Sequence, residues 1–158
     1  MFSGEYVFLD LETTGATAGT DKITEIGLIT VKDGQYQDEW QTLINPQKNI
    51  PNNIQLITGI TNEMVANAPK FHEVAKKIID ITEGKIFVAH NVGFDYGMIR
   101  AEFKALGKSF SRPNMCTVKA SRLVIPGYES YGLGKITRAL GIEIKGRHRA
   151  GGDAYATT

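Results

Sequence analysis

The chain has 158 residues, of which 42% are hydrophobic and 22% are charged, and these values predict one soluble globular domain with a sizeable core. No apolar run reaches the roughly 20 residues that a membrane-spanning helix needs, and the first ten residues, MFSGEYVFLD, lack the basic region of a secretory signal. The single cysteine, Cys116, excludes an internal disulfide and is typical of a reducing compartment, so we expect a cytoplasmic protein.

The net charge of +1 conceals an uneven distribution of charge along the chain. Residues 1–97 carry 7 basic and 13 acidic side chains, which sum to −6. Residues 98–158 carry 11 basic and 4 acidic side chains, which sum to +7. A basic half is typical of a protein with a polyanionic partner, and an acidic half is typical of one that binds cations.

The first half of the chain contains three predicted strands, followed by three predicted helices. The strands are rich in β-branched and alternating apolar residues, and they cover residues 5–11, 22–32 and 36–44. Between the second and third strands, Asp33-Gly34 is a dipeptide typical of a tight hairpin turn. Helical patterns follow at residues 52–57, 62–67 and 69–82, and the last of them has one continuous apolar face.

The second half alternates strands with helices. Residues 85–90 predict a fourth strand, and residues 93–107 predict a helix that ends at Gly107. A short fifth strand is predicted at residues 114–118, and the remaining helices are predicted at residues 118–124, 132–141 and from about residue 150 onward. Three strands followed by helices that alternate with further strands indicate an α/β fold with a mixed central sheet.

Acidic residues stand where such a fold places its ligand sites, at the ends of strands. Asp10 and Glu12 interrupt the apolar stretch VFLDLETTG two residues apart, a spacing that puts both on one face of the first strand. Asp95 follows the fourth strand, and HRAGGD brings His148 and Asp153 to the start of the last helix. Four carboxylates predict a site for Mg²⁺ or Mn²⁺, because these ions prefer oxygen ligands. Two such ions about 3.5–4 Å apart would offset the acids and hold a phosphodiester.

The segments FLDLETTG, AHNVGFD and HRAGGDA resemble, in order and spacing, the three motifs of the DEDDh family of 3′→5′ exonucleases. This family includes the proofreading epsilon subunit of bacterial DNA polymerase III. The resemblance extends over nearly the whole chain, including ITEIG, ITGIT and GLGKITRALGI. It implies a ribonuclease H-like fold, with a five-stranded mixed sheet, strand two antiparallel to its neighbours, and helices on both faces.

The resemblance also implies a catalytic role for five residues. Four of them, Asp10, Glu12, Asp95 and Asp153, match the family's metal ligands, and His148 matches its general base. In such an enzyme one ion activates a water, the histidine takes the proton of that water, and a second ion stabilises the leaving 3′-oxygen. The product is a 5′-mononucleotide.

Further residues match positions where family members contact the terminal nucleotide. Thr13, Thr14 and Gly15 match a loop that lies against it, and Ile60 and Phe94 match apolar positions near its base or sugar. The general base, His148, is also expected to contact the substrate. Where this chain has Thr58, many epsilon-like proteins have histidine, a difference that concerns a nucleotide contact and not the catalytic set.

Two classes of function remain open at this point. The first is a metal-dependent exonuclease that acts on single-stranded or frayed 3′ ends of DNA, with an RNA-trimming exoribonuclease of the same family as its alternative. The second is a catalytically silent module that binds nucleic acid or a partner protein. The complete catalytic set favours the enzyme, because a binding module has no need of a costly cluster of acids.

We expect residues 1–158 to be a single exonuclease domain that is truncated within its C-terminal helix or cut from a longer protein. A polymerase subunit or a fused C-terminal domain is then the expected protein partner, and a membrane is not.

Overall fold

The computed structural model describes residues 4–144, 146 and 148–158. The strands in this part of the chain are β1 Glu5–Thr13, β2 Ile23–Lys32, β3 Gln35–Leu43, β4 Ile86–Ala89 and β5 Asn114–Cys116. The helices are α1 Asn52–Thr58, α2 Asn62–Val65, α3 Phe71–Thr82, α4 Val92–Ala105, α5 Thr117–Val124, α6 Leu133–Ala139 and α7 Ala150–Thr157. Every element predicted from the sequence is present, with ends that differ by a few residues. Among the described helices, none is both long enough and apolar enough to cross a membrane.

The five strands form one mixed sheet in the order β3-β2-β1-β4-β5. β2 runs antiparallel to both β1 and β3, whereas β1, β4 and β5 run parallel to one another. This topology confirms the predicted five-stranded sheet with strand two antiparallel. The β2–β3 hairpin turns at Asp33-Gly34, where both residues have positive φ (50° and 77°), as a two-residue turn of this kind requires.

The two faces of β1 have different chemistry. Val7, Leu9 and Leu11 are at most 5% exposed and belong to the main core. The alternate residues point to the opposite face. There, Tyr6 and Phe8 pack beside α7, and Asp10 and Glu12 continue the same row toward the end of the strand. Alternation along β1 therefore keeps the two acids out of the main core and directs them toward α7.

Helices α3 and α4 cover the main-core face of the sheet. Phe71 of α3 meets Phe103 of α4 edge to face, with ring centroids 5.3 Å apart. Phe103 also stacks on Phe110, with centroids 5.1 Å apart. This aromatic packing holds α4, which carries Asp95, firmly against the sheet.

Helix α7 covers the other face, which confirms the prediction of helices on both faces. Ala154 of α7 is fully buried against Ile29 and Val31 of β2. The approach is close because β2 has a glycine beneath the first turn of α7. A Cβ atom on Gly27 would lie 2.5 Å from the carbonyl carbon of Ala150. The small residues of both elements thus let α7 lie directly on the sheet, opposite Asp10 in the β1–β2 register.

Candidate active site

Three of the predicted acids meet between β1 and α7. Asp10, Glu12 and Asp153 each present one carboxylate oxygen, and these oxygens lie within 4.8 Å of one another. The alternation of β1 places Asp10 and Glu12 on the α7 side of the sheet, and Asp153 comes from the first turn of α7. Three oxygen donors at this separation fit a divalent metal ion, because they are hard ligands that can share one cation.

The fourth predicted acid, Asp95, lies next to this group but outside it. Asp95 is 2% exposed in the first turn of α4. The backbone of Asp95 itself and that of Leu11 act to lower the pKa of this carboxyl, against the larger effect of burial. Asp95 is nevertheless close enough to Asp10 for its charge to raise the Asp10 pKa. The structure therefore brings the four carboxylates to one edge of the sheet. Its role as a metal ligand stays a prediction.

The carboxylates of this site are difficult to ionise without a cation. Burial, reinforced by the charges of Asp153 and Glu25, raises the pKa of Glu12 to about 7. Burial likewise raises the pKa of Asp95 to about 7. Burial and the surrounding acids, Asp95 first among them, raise the pKa of Asp10 well above its usual range. A divalent cation would favour the ionised forms, so the donor set and its electrostatics fit the predicted metal.

The backbone of His148 contacts the Asp153 carboxylate. The His148 backbone N–H donates to Asp153 Oδ2 at 3.1 Å, and the residue itself is exposed. His148 has φ 60°, and Asn91, just before α4, has φ 67°. Non-glycine residues rarely adopt this left-handed conformation, although Asn and His are among those that do so most readily. Both loops that lead into the acid-bearing helices thus hold a strained residue, a feature typical of functional sites. The role of His148 as a base stays a prediction.

The loop after β1, which was predicted to contact a nucleotide, is held by hydrogen bonds of its own. The Thr13 hydroxyl donates to the Gly15 carbonyl at 2.7 Å, and the Thr14 hydroxyl donates to Asp21 Oδ1 at 3.1 Å. A Cβ atom on Gly15 would lie 2.6 Å from the Asp21 carboxylate, so a larger residue there would displace the carboxylate that holds the loop. These contacts give the loop a defined shape beside the carboxylates, and its contact with substrate stays a prediction.

The two apolar residues predicted to lie near the nucleotide have different environments. Phe94 is half-buried in the first turn of α4, one residue before Asp95. Ile60 is fully buried and packs with Ile50 and Val65 in a small separate core. Phe94 therefore has surface to offer a ligand, whereas Ile60 supports the fold around it. Neither contact is tested by the structure.

One acid at the site was not predicted to have a role. Glu25 lies opposite Glu12 in the β1–β2 register, and its side chain is 1% exposed. Burial alone would raise its pKa, but hydrogen bonds from Arg149, the Ala150 backbone and Gln41 hold that pKa below its usual value. Hydrogen-bond donors of the protein thus favour the ionised form of Glu25, whereas the pKa values of Asp10, Glu12 and Asp95 are raised. The sequence signal that could have identified it is an acid inside the apolar strand sequence ITEIG.

A hollow of about 580 Å³ lies farther along the same face of the sheet. Its lining includes Tyr6 and Phe8 of β1, Val31 of β2 and Tyr155 of α7. None of the predicted site residues lines it, so it is separate from the carboxylate site.

Comparisons with known proteins identify the family and the fold of the chain. The model of the RNase T exonuclease family matches residues 7–158. The DNA polymerase III subunit epsilon of Aquifex aeolicus is 34% identical over 99% of this chain and 78% of the relative. The DNA polymerase III PolC-type of Clostridium perfringens is 39% identical, and the 3′-5′ exonuclease DinG of Bacillus subtilis is 38% identical. Those two matches cover 99% and 96% of this chain.

The chain spans only 11% of that PolC-type protein and 16% of that DinG protein. Among solved structures, exonuclease X in complex with 5′ overhanging duplex DNA has a TM-score of 0.78 at 26% identity. That match covers 96% of this chain and 86% of exonuclease X. The ribonuclease H-like fold and the resemblance to epsilon-type exonucleases are thereby confirmed. That residues 1–158 are cut from a longer protein stays a prediction. The chain belongs to the exonuclease family that the RNase T model describes.

Proposed function

We propose that this exonuclease domain is a metal-dependent 3′→5′ exonuclease that releases 5′-mononucleotides from DNA. The observation that carries the proposal is the Asp10, Glu12 and Asp153 cluster, whose ligand oxygens lie within 4.8 Å of one another. Its raised carboxyl pKa values indicate a site that needs a cation. The relative named as a 3′-5′ exonuclease supports the direction of cleavage.

The proposed cofactor is Mg²⁺ or Mn²⁺, with two ions per site. Asp10, Glu12 and Asp153 would hold it, with Asp95 beside them. When bound, divalent cations neutralise phosphodiester charge and lower the pKa of a coordinated water. Asp10 and Glu12 extend from a central strand and Asp153 from a packed helix, so the protein fixes these donors in advance.

Residues of the chain would carry out the proton transfer and position the substrate. His148, which itself has a left-handed backbone conformation just before α7, would accept the proton of the attacking water on its imidazole. A bond forms between the water oxygen and phosphorus, the bond from phosphorus to the 3′-oxygen breaks, and that oxygen acquires a proton. The loop of Thr13, Thr14 and Gly15, together with Phe94, would hold the terminal nucleotide.

The proposed substrate is a single-stranded or frayed 3′ end of DNA. Exonuclease X has been solved with duplex DNA that carries a 5′ overhang, and several relatives are DNA polymerase III proteins. A polymerase subunit or a fused domain is the proposed protein partner, and the bacterial cytoplasm is the proposed setting. RNA trimming remains the alternative within the enzyme class.

A cleavage time course on matched single-stranded DNA and RNA, each labelled at its 5′ end, tests the proposal. With Mg²⁺ or Mn²⁺, we expect a ladder of labelled products that shortens from the 3′ end and is faster on DNA, and EDTA should abolish it. A faster reaction on RNA would select the exoribonuclease. Binding without cleavage in either metal would select the silent module.

A further inference from the structure

Glu25 connects the sheet to the segment that carries His148 and Asp153. Its carboxylate accepts hydrogen bonds from four donors, two of which are on the Arg149 guanidinium. Arg149 Nε lies 3.0 Å from Oε2, Arg149 Nη2 lies 2.5 Å from Oε1, the Ala150 backbone N–H lies 2.9 Å from Oε2, and Gln41 Nε2 lies 2.9 Å from Oε1. An ionised carboxylate offers about four acceptor sites. The protein therefore uses all of them, and Glu25 has no lone pair left for a metal.

The donors to Glu25 are far from it in sequence but adjacent to the active-site segment. Arg149 and Ala150 stand 124 and 125 positions beyond Glu25. They lie between His148 and Asp153, whose own contact joins the His148 N–H to Asp153 Oδ2. We call residues 148–153, together with their bonds to Glu25, the strap. The strap joins the beginning of α7 to β2 at the residue directly opposite Glu12.

The position of Glu25 also makes it costly in the absence of the strap. Like charges that face each other across an antiparallel pair repel, and Glu25 faces Glu12 at a site that already contains Asp10 and Asp153. The Arg149 side chain lies partly exposed over this pair, with 40% of its surface accessible, whereas Glu25 is 1% exposed. A carboxylate placed here adds to the repulsion, and its hydrogen bonds to Arg149 and Ala150 offset that cost only while the strap keeps its geometry.

We infer that Glu25 is a positioning residue, which sets His148 and Asp153 against Asp10 and Glu12 through its bonds to Arg149 and Ala150. The inference rests on the proposed function, because it assigns those four residues to one metal-dependent site. Glu25 touches neither metal nor substrate in this role. It acts only through the backbone and side chain of the strap.

Glu25→Gln is the primary test, because the size is almost unchanged while one of the two acceptor oxygens becomes an NH2 group. That group would face the N–H donors of Arg149 or Ala150, so the strap loses the hydrogen bonds to one of the two oxygens and the charge that strengthens the others. Removal of a group that orients metal ligands typically weakens metal binding by about 10–100-fold. We expect a loss of that size in Mn²⁺ affinity, measured by calorimetry on the folded protein, and a similar fall in kcat.

Glu102→Gln is the matched control. Glu102 is also a buried glutamate in an ion pair, here with Lys22 at 3.2 Å, and it lies on α4 rather than beside α7. The same chemical change at Glu102 should leave Mn²⁺ affinity as in the wild type. If Glu25→Gln proves too unstable to study, Arg149→Lys keeps the charge and removes only the planar fork, and it should weaken Mn²⁺ binding in the same direction.

Hydrogen exchange at residues 148–153 separates this inference from the proposed function, since it needs neither metal nor substrate. Faster exchange there in Glu25→Gln, but not in Glu102→Gln, supports the strap even if the wild type fails to cleave DNA. Unchanged exchange overturns it. Mn²⁺ affinity in Glu25→Gln that matches the wild type also overturns the inference, because the loss of a residue that only stabilised the fold would leave the metal affinity of the folded protein unchanged.

Discussion

The contact between Gly27 and the first turn of α7 allows a sharp test of how the site is assembled. A Cβ atom on Gly27 would lie 2.5 Å from Ala150 C, 2.6 Å from Ala150 O and 2.6 Å from Gly151 N. All three are backbone atoms, so no rotation of a side chain can relieve the contact. Gly27→Ala must therefore move α7 away from the sheet.

The size of this movement follows from the distances. Ordinary van der Waals contact begins at 3.4 Å, so the first turn of α7 must retreat by about 1 Å, a distortion that typically costs about 1–3 kcal/mol of stability. Asp153 moves with that turn, away from Asp10 and Glu12. A displacement of about 1 Å in a catalytic group can lower the rate about 100-fold, or about 2.7 kcal/mol of transition-state stabilisation.

The assay compares Gly27→Ala with Gly97→Ala. Gly97 lies within α4, a Cβ atom there would meet nothing within 4 Å, and its φ is ordinary. Alanine at that helical position should stabilise the protein by about 0.5–1 kcal/mol without loss of activity. For Gly27→Ala we expect a melting temperature lower by about 2–12 °C, weaker Mn²⁺ binding and about 100-fold lower kcat. Wild-type kcat and Mn²⁺ affinity in this variant would refute the argument that α7 packing sets the site.

Three further predictions concern charge. Because the folded-state pKa values of Glu12 and Asp95 are raised to about 7, the metal-free native protein binds more protons than the unfolded chain between about pH 4 and 7. The stability of the metal-free protein should fall as pH rises through that window, and the increase in melting temperature on replacing EDTA with Mg²⁺ should become larger. His90 has the opposite effect on stability, because burial lowers its pKa, but this effect is the same in the Mg²⁺ and EDTA samples and cancels in their difference. A gain independent of pH would contradict this. Asp10→Asn should abolish cleavage yet raise the melting temperature in EDTA, because it removes a carboxyl group whose ionised form is disfavoured by burial and by the neighbouring acids. A lower melting temperature would contradict this repulsion between buried acids. Binding to single-stranded DNA should weaken with salt, with a slope of about −0.7 per phosphate contact, and salt-independent affinity would exclude the basic residues 98–158 as the phosphate-binding surface.

Much of the fold could be predicted because its signals are local. The alternation of apolar and polar residues in β1 predicted both the strand and the common face of Asp10 and Glu12. The Asp33-Gly34 dipeptide predicted the hairpin turn that sets the register of β2 and β3. The convergence of Asp153 with these acids followed from motif order, since strand ends and helix starts meet at one edge of such a sheet.

The interactions that were not predicted are long-range or depend on side-chain direction. Glu25 and Arg149 are 124 positions apart, and nothing in either local sequence specifies the pairing. The burial of Asp95 near the backbone of Leu11 depends on how α4 packs on the sheet. The full burial of Ile60 depends on the small core formed with Ile50 and Val65, which no local pattern reveals.

The most direct test of the central claim is an anomalous difference map at the manganese edge from crystals of this chain soaked in Mn²⁺. We predict density bounded by the Asp10, Glu12 and Asp153 carboxylates, absent from crystals of Asp10→Asn prepared in the same way. A fully soaked wild-type crystal with manganese elsewhere, and none between these three carboxylates, would contradict the account.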